Sequence, residues 1–253
     1  KILNVFFSPF STNSEDKWNS STLIAGVMQS GLSIERILKT NYSNLKVKKI
    51  SYNHHYTHAA GACYASNFKE AICLVMDGSG EKGSYSYYRY NEQGITRLGY
   101  NKGHASLGAF YAVITHMCGF DYVKGEEWKV MGLAAYGKKD EYIYSRLKDV
   151  YQVNGLKMKF KVGKDKLQKL LTEVKEYITS SEKKNEVKIN LAYTGQLLFE
   201  QLMNCLINEL FKIGDSNNLI YTGGCALNSS YNGKITTNTP FKNVYIPSCP
   251  GDD

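Results

Sequence analysis

Three histidines lie close together in the segment NHHYTH, residues 53–58, although the chain of 253 residues has only five histidines. The spacing of His54 and His58 would place both imidazoles on one face of a helical turn, about 5–6 Å apart at Cβ. Two imidazoles at that separation suit a single transition-metal ion. Hydrogen-bonded core or surface histidines are the alternative explanation. We interpret the pair as candidate metal ligands.

Two glycine-rich turns each follow a buried apolar strand. The first, Asp77–Glu81 (DGSGE), follows EAICLVM, and its aspartate could face a metal while its glycine backbone approaches a phosphate. The second, Gly223–Asn228 (GGCALN), follows LIYT and would expose backbone N–H groups at the start of a helix, where anions bind. A plain hairpin turn and a tight strand-to-helix connection are the alternatives. A third loop, Gly251–Asp253, could complete a metal site.

The elements that must position these residues alternate between strands and helices. Amphipathic or close-packed stretches predict helices at Thr22–Leu38, Thr57–Ser66, Leu107–Met117 and Leu191–Phe211. Apolar runs predict strands at the opening KILNVFF and at Val47–Tyr52, Glu70–Met76, Ser84–Tyr90, Leu219–Thr222 and Val244–Ile246. Residues 140–190 are expected to form a helical insertion with a disordered patch near TSSEKKNEVK. Strands that end in glycine turns and alternate with helices indicate an α/β domain.

Composition narrows the class of protein. Apolar residues make up 43% of the chain, yet no apolar run approaches the roughly 18–20 residues of a membrane span. The six cysteines have no paired spacing, so we expect free thiols in a reducing cytoplasm. The net charge of +8 comes from lysines in polar stretches without interleaved aromatic residues, which indicates a solvated surface more than a nucleic-acid surface.

The order of the motifs is more specific than any one of them. HHYTHAAGACYAS, DGSGE, SLGAFYAVITHMCGF, EEWKVMGLAAYG, a helix with Gln196 and Glu200, GGCALN and PGDD follow one another over roughly residues 45–253. This series resembles the NodU/CmcH carbamoyltransferase family, which includes antibiotic and nodulation-factor O-carbamoyltransferases. The match at EWKVMGLAAYG is highly specific.

The resemblance implies a two-lobed actin/sugar-kinase/Hsp70-like fold with mixed sheets and a cleft that holds nucleotide and metal. The approximate lobes would be 1–190 and 191–253, the second incomplete and apparently truncated. By matching motifs, the metal ligands would be His54, His58, Asp77 and Asp252. Two imidazoles and two carboxylates suit Fe(II) or Mn(II), and the family implies iron(II).

The resemblance implies that the remaining candidate residues bind the nucleotide or take part in catalysis. The nucleotide, ATP or carbamoyl-adenylate, would contact residues of the two glycine turns and of the ExK pair: Gly78, Ser79, Gly80, Glu127, Gly223, Gly224 and Asn228. Lys129 could neutralise phosphate charge, and His55 is the nearest candidate for a general base, although a supporting or surface role is also open. A side chain at Gly224 should weaken nucleotide binding and leave the metal in place, because the metal ligands lie on other loops.

The implied activity is metal-assisted transfer of a carbamoyl group from carbamoyl-adenylate to a hydroxyl of a small-molecule acceptor. In the family, a C-terminal domain makes the adenylate from carbamoyl phosphate and ATP, and that domain is not in this sequence. The glycine-histidine-aspartate loop with which the family usually opens is also not found in KILNVFFSPFSTNSEDKW. Threonylcarbamoyl transfer to tRNA and a catalytically inactive nucleotide-binding partner are alternatives, and a homodimer is compatible with the sequence.

Overall fold

The computed structural model describes residues 38, 40–42, 48, 50–80 and 83–252. The chain divides into two compact units, Lys1–Asn53 and His54–Asp253, and all elements named below belong to the second. The expected opening strand and nearly all of the expected helix Thr22–Leu38 lie outside the described residues. The expected strand at Val47–Tyr52 is wrong where it can be seen, because residues 48 and 50–52 have no regular structure and Ile50 and Tyr52 are exposed.

A five-stranded mixed sheet forms the centre of this unit. Its strands are β1 (Ala71–Met76), β2 (Gly83–Asn91), β3 (Gly94–Lys102), β6 (Asn218–Thr222) and β7 (Asn243–Tyr245), in the order β3-β2-β1-β6-β7. Strands β1, β2 and β3 form an antiparallel meander. Strands β6 and β7 extend it on the other side of β1, and both pairings there are parallel.

The parallel strands decide where the loops meet. Val75 of β1 is paired with Thr222 of β6, and Ile220 of β6 is paired with Tyr245 of β7. The carboxyl ends of β1, β6 and β7 therefore share one edge of the sheet. In open α/β sheets this edge is where ligands bind.

Helices cover the sheet and fill the connection between β3 and β6. The α-helices are α1 (His54–Ala65), α2 (Leu107–Cys118), α3 (Glu127–Ala134), α4 (Glu141–Leu147), α5 (Lys164–Ser180), α6 (Lys184–Ile213), α7 (Ser229–Asn232) and α8 (Ile235–Asn238). Short 3₁₀ turns lie at Tyr122–Lys124 and Gly224–Leu227, and the strands β4 (Tyr151–Asn154) and β5 (Lys157–Phe160) form a separate hairpin. Among the described residues, no helix is both long and apolar enough to cross a membrane.

The two faces of β1 explain how the sheet is covered. Cys73 and Val75 pack in one buried cluster with Ala59 and Cys63 of α1. Because side chains alternate along a strand, Ile72, Leu74 and Met76 point to the opposite face, and all six residues of β1 are buried. Burial on both faces accounts for the unbroken apolar run that predicted this strand.

Most expected elements of this unit are confirmed, with boundaries shifted by a few residues. Helix α6 is longer than expected and runs through residue 190, and the sheet takes strands from both sides of that position. The division into approximate lobes 1–190 and 191–253 stays a prediction. The expected disordered patch near residues 179–188 is wrong: α5 ends at Ser180 and α6 begins at Lys184, since buried apolar residues such as Ile178 and Val187 continue through the charged segment.

Three strands were not predicted from the sequence. Strand β3 lies at the edge of the sheet and is only partly buried, so its apolar alternation is weak. Strands β4 and β5 lie within the stretch expected to be helical. Their signal was present in the sequence, because a glycine at the first position of a two-residue turn is typical of a hairpin, and Gly155, with a φ of +56°, takes that position between Asn154 and Lys157.

Replacing Gly223 by alanine should lower the free energy of unfolding by more than about 3 kcal/mol, beyond the usual range for one substitution. Gly223 has a φ of +91°, and a Cβ there would lie 2.4 Å from the carbonyl oxygen of Met76. The added atom would push apart the ends of the parallel strands β1 and β6. Urea unfolding followed by circular dichroism measures the loss.

Gly155→Ala is the matched control. Gly155 also has a positive φ, but a Cβ there would have open space around it. The free energy of unfolding of this variant should fall by about 1–2 kcal/mol, the cost of holding alanine in a left-handed backbone conformation. Equal losses for the two variants would contradict the close approach of Gly223 to β1.

Candidate metal and nucleotide site

Four side chains form a compact cluster of metal-ligand type. One potential ligand atom from each of His54, His58, Asp77 and Asp252 lies within 4.8 Å of the other three. Nε2 of His54 lies 2.7 Å from Oδ2 of Asp77, and Nε2 of His58 lies 2.9 Å from Oδ1 of Asp252. The two cross distances, His54 to Asp252 and His58 to Asp77, are both 3.5 Å. A cation could replace these imidazole–carboxylate contacts with bonds to all four groups.

The four groups come from three segments of the chain: the two histidines share one helix, and each aspartate lies on its own loop. His54 and His58 lie on the first turns of α1, and their ring centroids are 4.8 Å apart. Asp77 follows directly after the last residue of β1. Asp252 lies in the segment after β7, which is held by the backbone N–H of Gly223 and the hydroxyl of Thr222, both donating to the carbonyl of Pro250.

The cluster keeps Asp77 ionised. Burial raises the pKa of this carboxyl, but hydrogen bonds from His54, from His58 and from the backbone N–H of Gly78 outweigh burial and hold the pKa well below its ordinary value. Asp77 is nearly buried, whereas Asp252 is exposed. The cluster therefore has a closed side at Asp77 and an open side at Asp252.

The DGSG turn lies between this cluster and the start of α2. Ser106 caps α2 by accepting from the backbone N–H of Ala109, and its hydroxyl donates to the backbone carbonyl of Gly78 at 2.7 Å. A Cβ on Gly108 would lie 2.8 Å from Cα of Gly78, so the first turn of α2 touches the loop. Ser79 at the tip of the turn is exposed. The N–H groups at the start of a helix favour anions. Because the DGSG turn touches the start of α2, a phosphate could bind between them.

His55 points away from the other two histidines, into the fold. Its Nδ1 lies 2.8 Å from the hydroxyl of Ser86 on β2, and the residue is 2% exposed. A Cβ on Gly80 would lie 2.6 Å from Nε2 of His55, so the His55 ring packs directly against the DGSG turn. The structure thus places His55 as a support of the turn, and its use as a general base stays a prediction.

Gly223 and Gly224 bring the second glycine turn against the first. The close approach of Gly223 to Met76 places Gly224 beside the metal cluster, where an added Cβ would lie 3.0 Å from Oδ1 of Asp77. A side chain at Gly224 would therefore press on Asp77, and whether the metal would stay in place remains a prediction. Parallel pairing of β1 and β6 puts the two turns next to each other, although they are far apart in sequence.

Asn228 is buried within a network of polar side chains that the sequence analysis did not foresee. Its Oδ1 accepts from the backbone N–H of Tyr231, and its amide exchanges two hydrogen bonds with the amide of Gln196, at 3.0 and 3.1 Å. Tyr111 and Glu200 also bond to Gln196. A polar residue in the apolar stretch of a helix was the available signal for Gln196.

The ExK pair is divided between two environments, since residues two apart on a helix do not face each other. Glu127 is half-buried, burial raises its pKa, and its charge acts on Tyr111 and on Cys225 of the second glycine turn. Lys129 instead lies 2.6 Å from Glu126 and over the rings of Phe120 and Trp128. Glu127 thus lies close to the second glycine turn. The described contacts of Lys129 are with other residues, outside the two glycine turns.

Gly80→Ala should lower the free energy of unfolding by about 1–3 kcal/mol, the usual cost of overpacking. The added methyl group would press on the buried ring of His55. Gly78→Ala, two residues earlier in the same turn, should change stability by less than about 0.5 kcal/mol, because a Cβ there has open space. Thermal or urea unfolding distinguishes the two variants.

A second comparison isolates the contact with His55. In a His55→Ala background, Gly80→Ala should cost less than it does in the parent chain, because the opposing ring is gone. An unchanged cost would show that the strain of Gly80→Ala has another origin.

Comparison with known proteins places this geometry in a family context. A protein of Methanocaldococcus jannaschii without an assigned function is 31% identical over 239 residues, which cover 88% of this chain and 38% of that protein. The nodulation protein NolO of Bradyrhizobium diazoefficiens is 25% identical over 203 residues, which cover 79% of this chain and 36% of NolO. The chain therefore spans less than two fifths of the length of these relatives.

Among solved structures, HypF of T. kodakarensis superposes with a TM-score of 0.52 at 14% identity, over 86% of this chain and 36% of that chain. At this identity the likeness shows the fold alone. It confirms the expected α/β class with a mixed sheet.

The match to a defined protein family covers far more of the chain than any single motif. It extends over residues 18–253 and so includes every residue of the metal cluster and of the two glycine turns. The protein belongs to the family described as "Carbamoyltransferase N-terminus".

Proposed function

We propose that this chain is the carbamoyl-transferring domain of an O-carbamoyltransferase. It would hold one divalent metal ion at His54, His58, Asp77 and Asp252, bind carbamoyl-adenylate beside the metal, and pass the carbamoyl group to a hydroxyl of a small-molecule acceptor. The adenylate would come from carbamoyl phosphate and ATP through a further domain of the full-length protein.

The observation that carries the proposal is the meeting of two kinds of site at one edge of the sheet. The four-ligand cluster lies within contact distance of both glycine turns, through Gly78 on one side and Gly224 on the other. A ligand with both a phosphate and a metal-binding oxygen would fit such a combination. Carbamoyl-adenylate has both, and the family supports a carbamoyl group as the transferred unit.

The donor set fits the expected ion. Two neutral imidazoles and two carboxylates are borderline-hard ligands, which suit Fe(II) or Mn(II) better than a structural zinc. The ion, when bound, would supply Lewis-acid polarisation of the carbamoyl carbonyl. The low pKa of Asp77 means that this ligand is ready to bind a cation without first losing a proton.

The residues of the chain have separable tasks in this scheme. His54 and His58 arrive on a single rigid helix, so their separation is preset and little is lost in ordering them. Gly78 and Gly224 leave room at the cluster, since neither carries a side chain towards the shared edge. Ser106 holds the DGSG turn against the start of α2, so that phosphate oxygens would meet oriented N–H groups.

Glu127 is suited to the sugar or base end of the nucleotide. Its charge acts on Cys225 of the GGCALN turn, and burial raises its pKa. A carboxylate in such a place can accept hydrogen bonds from ribose hydroxyls or an exocyclic amine. Binding of the nucleotide between Glu127 and the glycine turns completes the proposed arrangement.

Alanine at His54 or at His58 should lower the affinity for Fe(II) or Mn(II) at least about tenfold, because losing a ligand costs no less than losing a residue that supports one. The measurement is metal content by mass spectrometry after anaerobic loading, together with a thermal melt. Both variants should remain folded, since His54 is partly exposed and the core of α1 is formed by small residues.

His104→Ala is the control, because His104 is exposed in the loop before α2 and is not part of the cluster. It should bind metal as the parent chain does. Full metal occupancy in both His54→Ala and His58→Ala would show that the ion, if any, binds elsewhere.

The transfer activity itself is tested with the full-length protein. Incubation with carbamoyl phosphate, ATP and a mixture of hydroxyl compounds should yield a product heavier by one carbamoyl group, detected by mass spectrometry. Asp77→Asn should abolish the product and leave carbamoyl-phosphate-dependent release of pyrophosphate intact, because the first half-reaction is assigned to another domain. If the Asp77→Asn protein formed the carbamoylated product as fast as the parent protein, the role of this cluster would be refuted.

A further inference from the structure

Beyond the two glycine turns, a buried polar network links helices α2 and α6 to the end of the GGCALN turn. Its members are Tyr111, Gln196, Glu200, Asn228 and Lys234. The first four are each less than 10% exposed, although all four are polar. Polar groups are buried at a cost unless their hydrogen bonds are made, so a network at this place needs a reason beyond packing.

Gln196 is the hub of the network. Its Oε1 accepts from the hydroxyl of Tyr111 at 2.8 Å and from Nδ2 of Asn228 at 3.0 Å. Its Nε2 donates to Oε1 of Glu200 at 2.9 Å and to Oδ1 of Asn228 at 3.1 Å. An amide can donate twice and accept twice, so the hydrogen-bonding capacity of Gln196 is fully used inside the fold.

The direction of every bond in the network is determined. Nζ of Lys234 donates to Oε1 of Glu200 at 2.8 Å, which fixes this oxygen as an acceptor. The carboxylate therefore orients the amide nitrogen of Gln196 towards itself. At the other end, the backbone N–H of Tyr231 can only donate, which orients Oδ1 of Asn228. Burial raises the pKa of Tyr111, so its hydroxyl keeps its proton and donates to Gln196.

Asn228 transmits this order to the glycine turn. Its backbone N–H donates to the carbonyl of Cys225, and the N–H of Ala226 donates to the carbonyl of Gly223. The turn between Gly223 and Asn228 is thus anchored at one end by β1 and the Pro250 carbonyl, and at the other by Gln196. Loosening the second anchor would let the end of the turn near Asn228 move, while Gly223, held at the first anchor, keeps the start of the turn in place beside Asp77.

We propose that Gln196, supported by Tyr111, is a positioning residue for nucleotide binding: it holds Asn228 and so fixes the Gly223–Asn228 turn against the ligand. This inference rests on the proposed function, because it assumes that a nucleotide occupies the turn. Gln196 itself touches no ligand in this scheme, since all four of its hydrogen bonds are made within the fold.

Gln201 of α6 and Tyr144 of α4 supply a matched pair of controls. Gln201, five residues after Gln196, also accepts from a tyrosine hydroxyl, that of Tyr144 at 3.2 Å, but it does so on the exposed side of the helix. The comparison of Gln196→Met with Gln201→Met, and of Tyr111→Phe with Tyr144→Phe, therefore changes the same chemistry at a network position and at a surface position.

The experiment titrates AMP into the purified, metal-loaded chain and measures affinity by calorimetry, with metal content and a thermal melt for each variant. Gln196→Met should weaken AMP binding at least about tenfold, equivalent to about 1.4 kcal/mol. Tyr111→Phe, which removes a single hydroxyl, should weaken it about fivefold. Metal content should match the parent chain in both, and Gln201→Met and Tyr144→Phe should bind AMP normally.

A purely structural role predicts a different result, in which AMP affinity and metal content fall together with the melting temperature. If Gln196→Met does not fold, the milder pair Tyr111→Phe and Tyr144→Phe decides the question. Normal AMP affinity in a folded Gln196→Met or Tyr111→Phe variant would overturn the positioning role and leave the proposed function standing. Failure of the parent chain to bind AMP would instead overturn the nucleotide site on which both depend.

Discussion

The parallel pairing of β1 with β6 is the constraint on which the rest of the site depends. Because both strands run in one direction and are paired at Val75 and Thr222, Asp77 and Gly223 must leave the sheet side by side. Strand β7 continues the pattern and returns the chain towards Asp252. Residues separated by more than 140 positions thus meet at one edge, and the lack of a side chain at Gly223 lets the strand ends approach to contact distance.

Two kinds of electrostatic arrangement meet at that edge. The metal cluster is partly open to solvent and pairs imidazoles with carboxylates, so a cation can exchange places with those contacts. Gln196, at the centre of the buried network, makes all four of its hydrogen bonds within the fold and has no capacity left for a ligand. The first arrangement suits binding, whereas the second suits holding a loop in place, because breaking a buried hydrogen bond leaves an unpaired polar group.

Sequence reasoning succeeded for elements whose burial is simple. Strand β1 is buried on both faces and α6 carries a long apolar stripe, so each left an unambiguous pattern. It failed for β3, which is a half-exposed edge strand, and for the charged stretch near residue 180, where buried residues such as Ile178 keep the helical period. In both failures, packing against a neighbour outweighed the local composition.

For the candidate site, the sequence alone determined residue types and local spacing. His54 and His58 share a helix face because the helical repeat requires it, and the glycine turns follow apolar strands that could be recognised directly. Only the tertiary structure decided that Asp252 lies beside His58, that His55 turns inward to Ser86, and that Gln196 holds Asn228. The reason is physical: helical and strand periods act over a few residues, whereas these contacts depend on strand order and on which face of a helix meets the sheet.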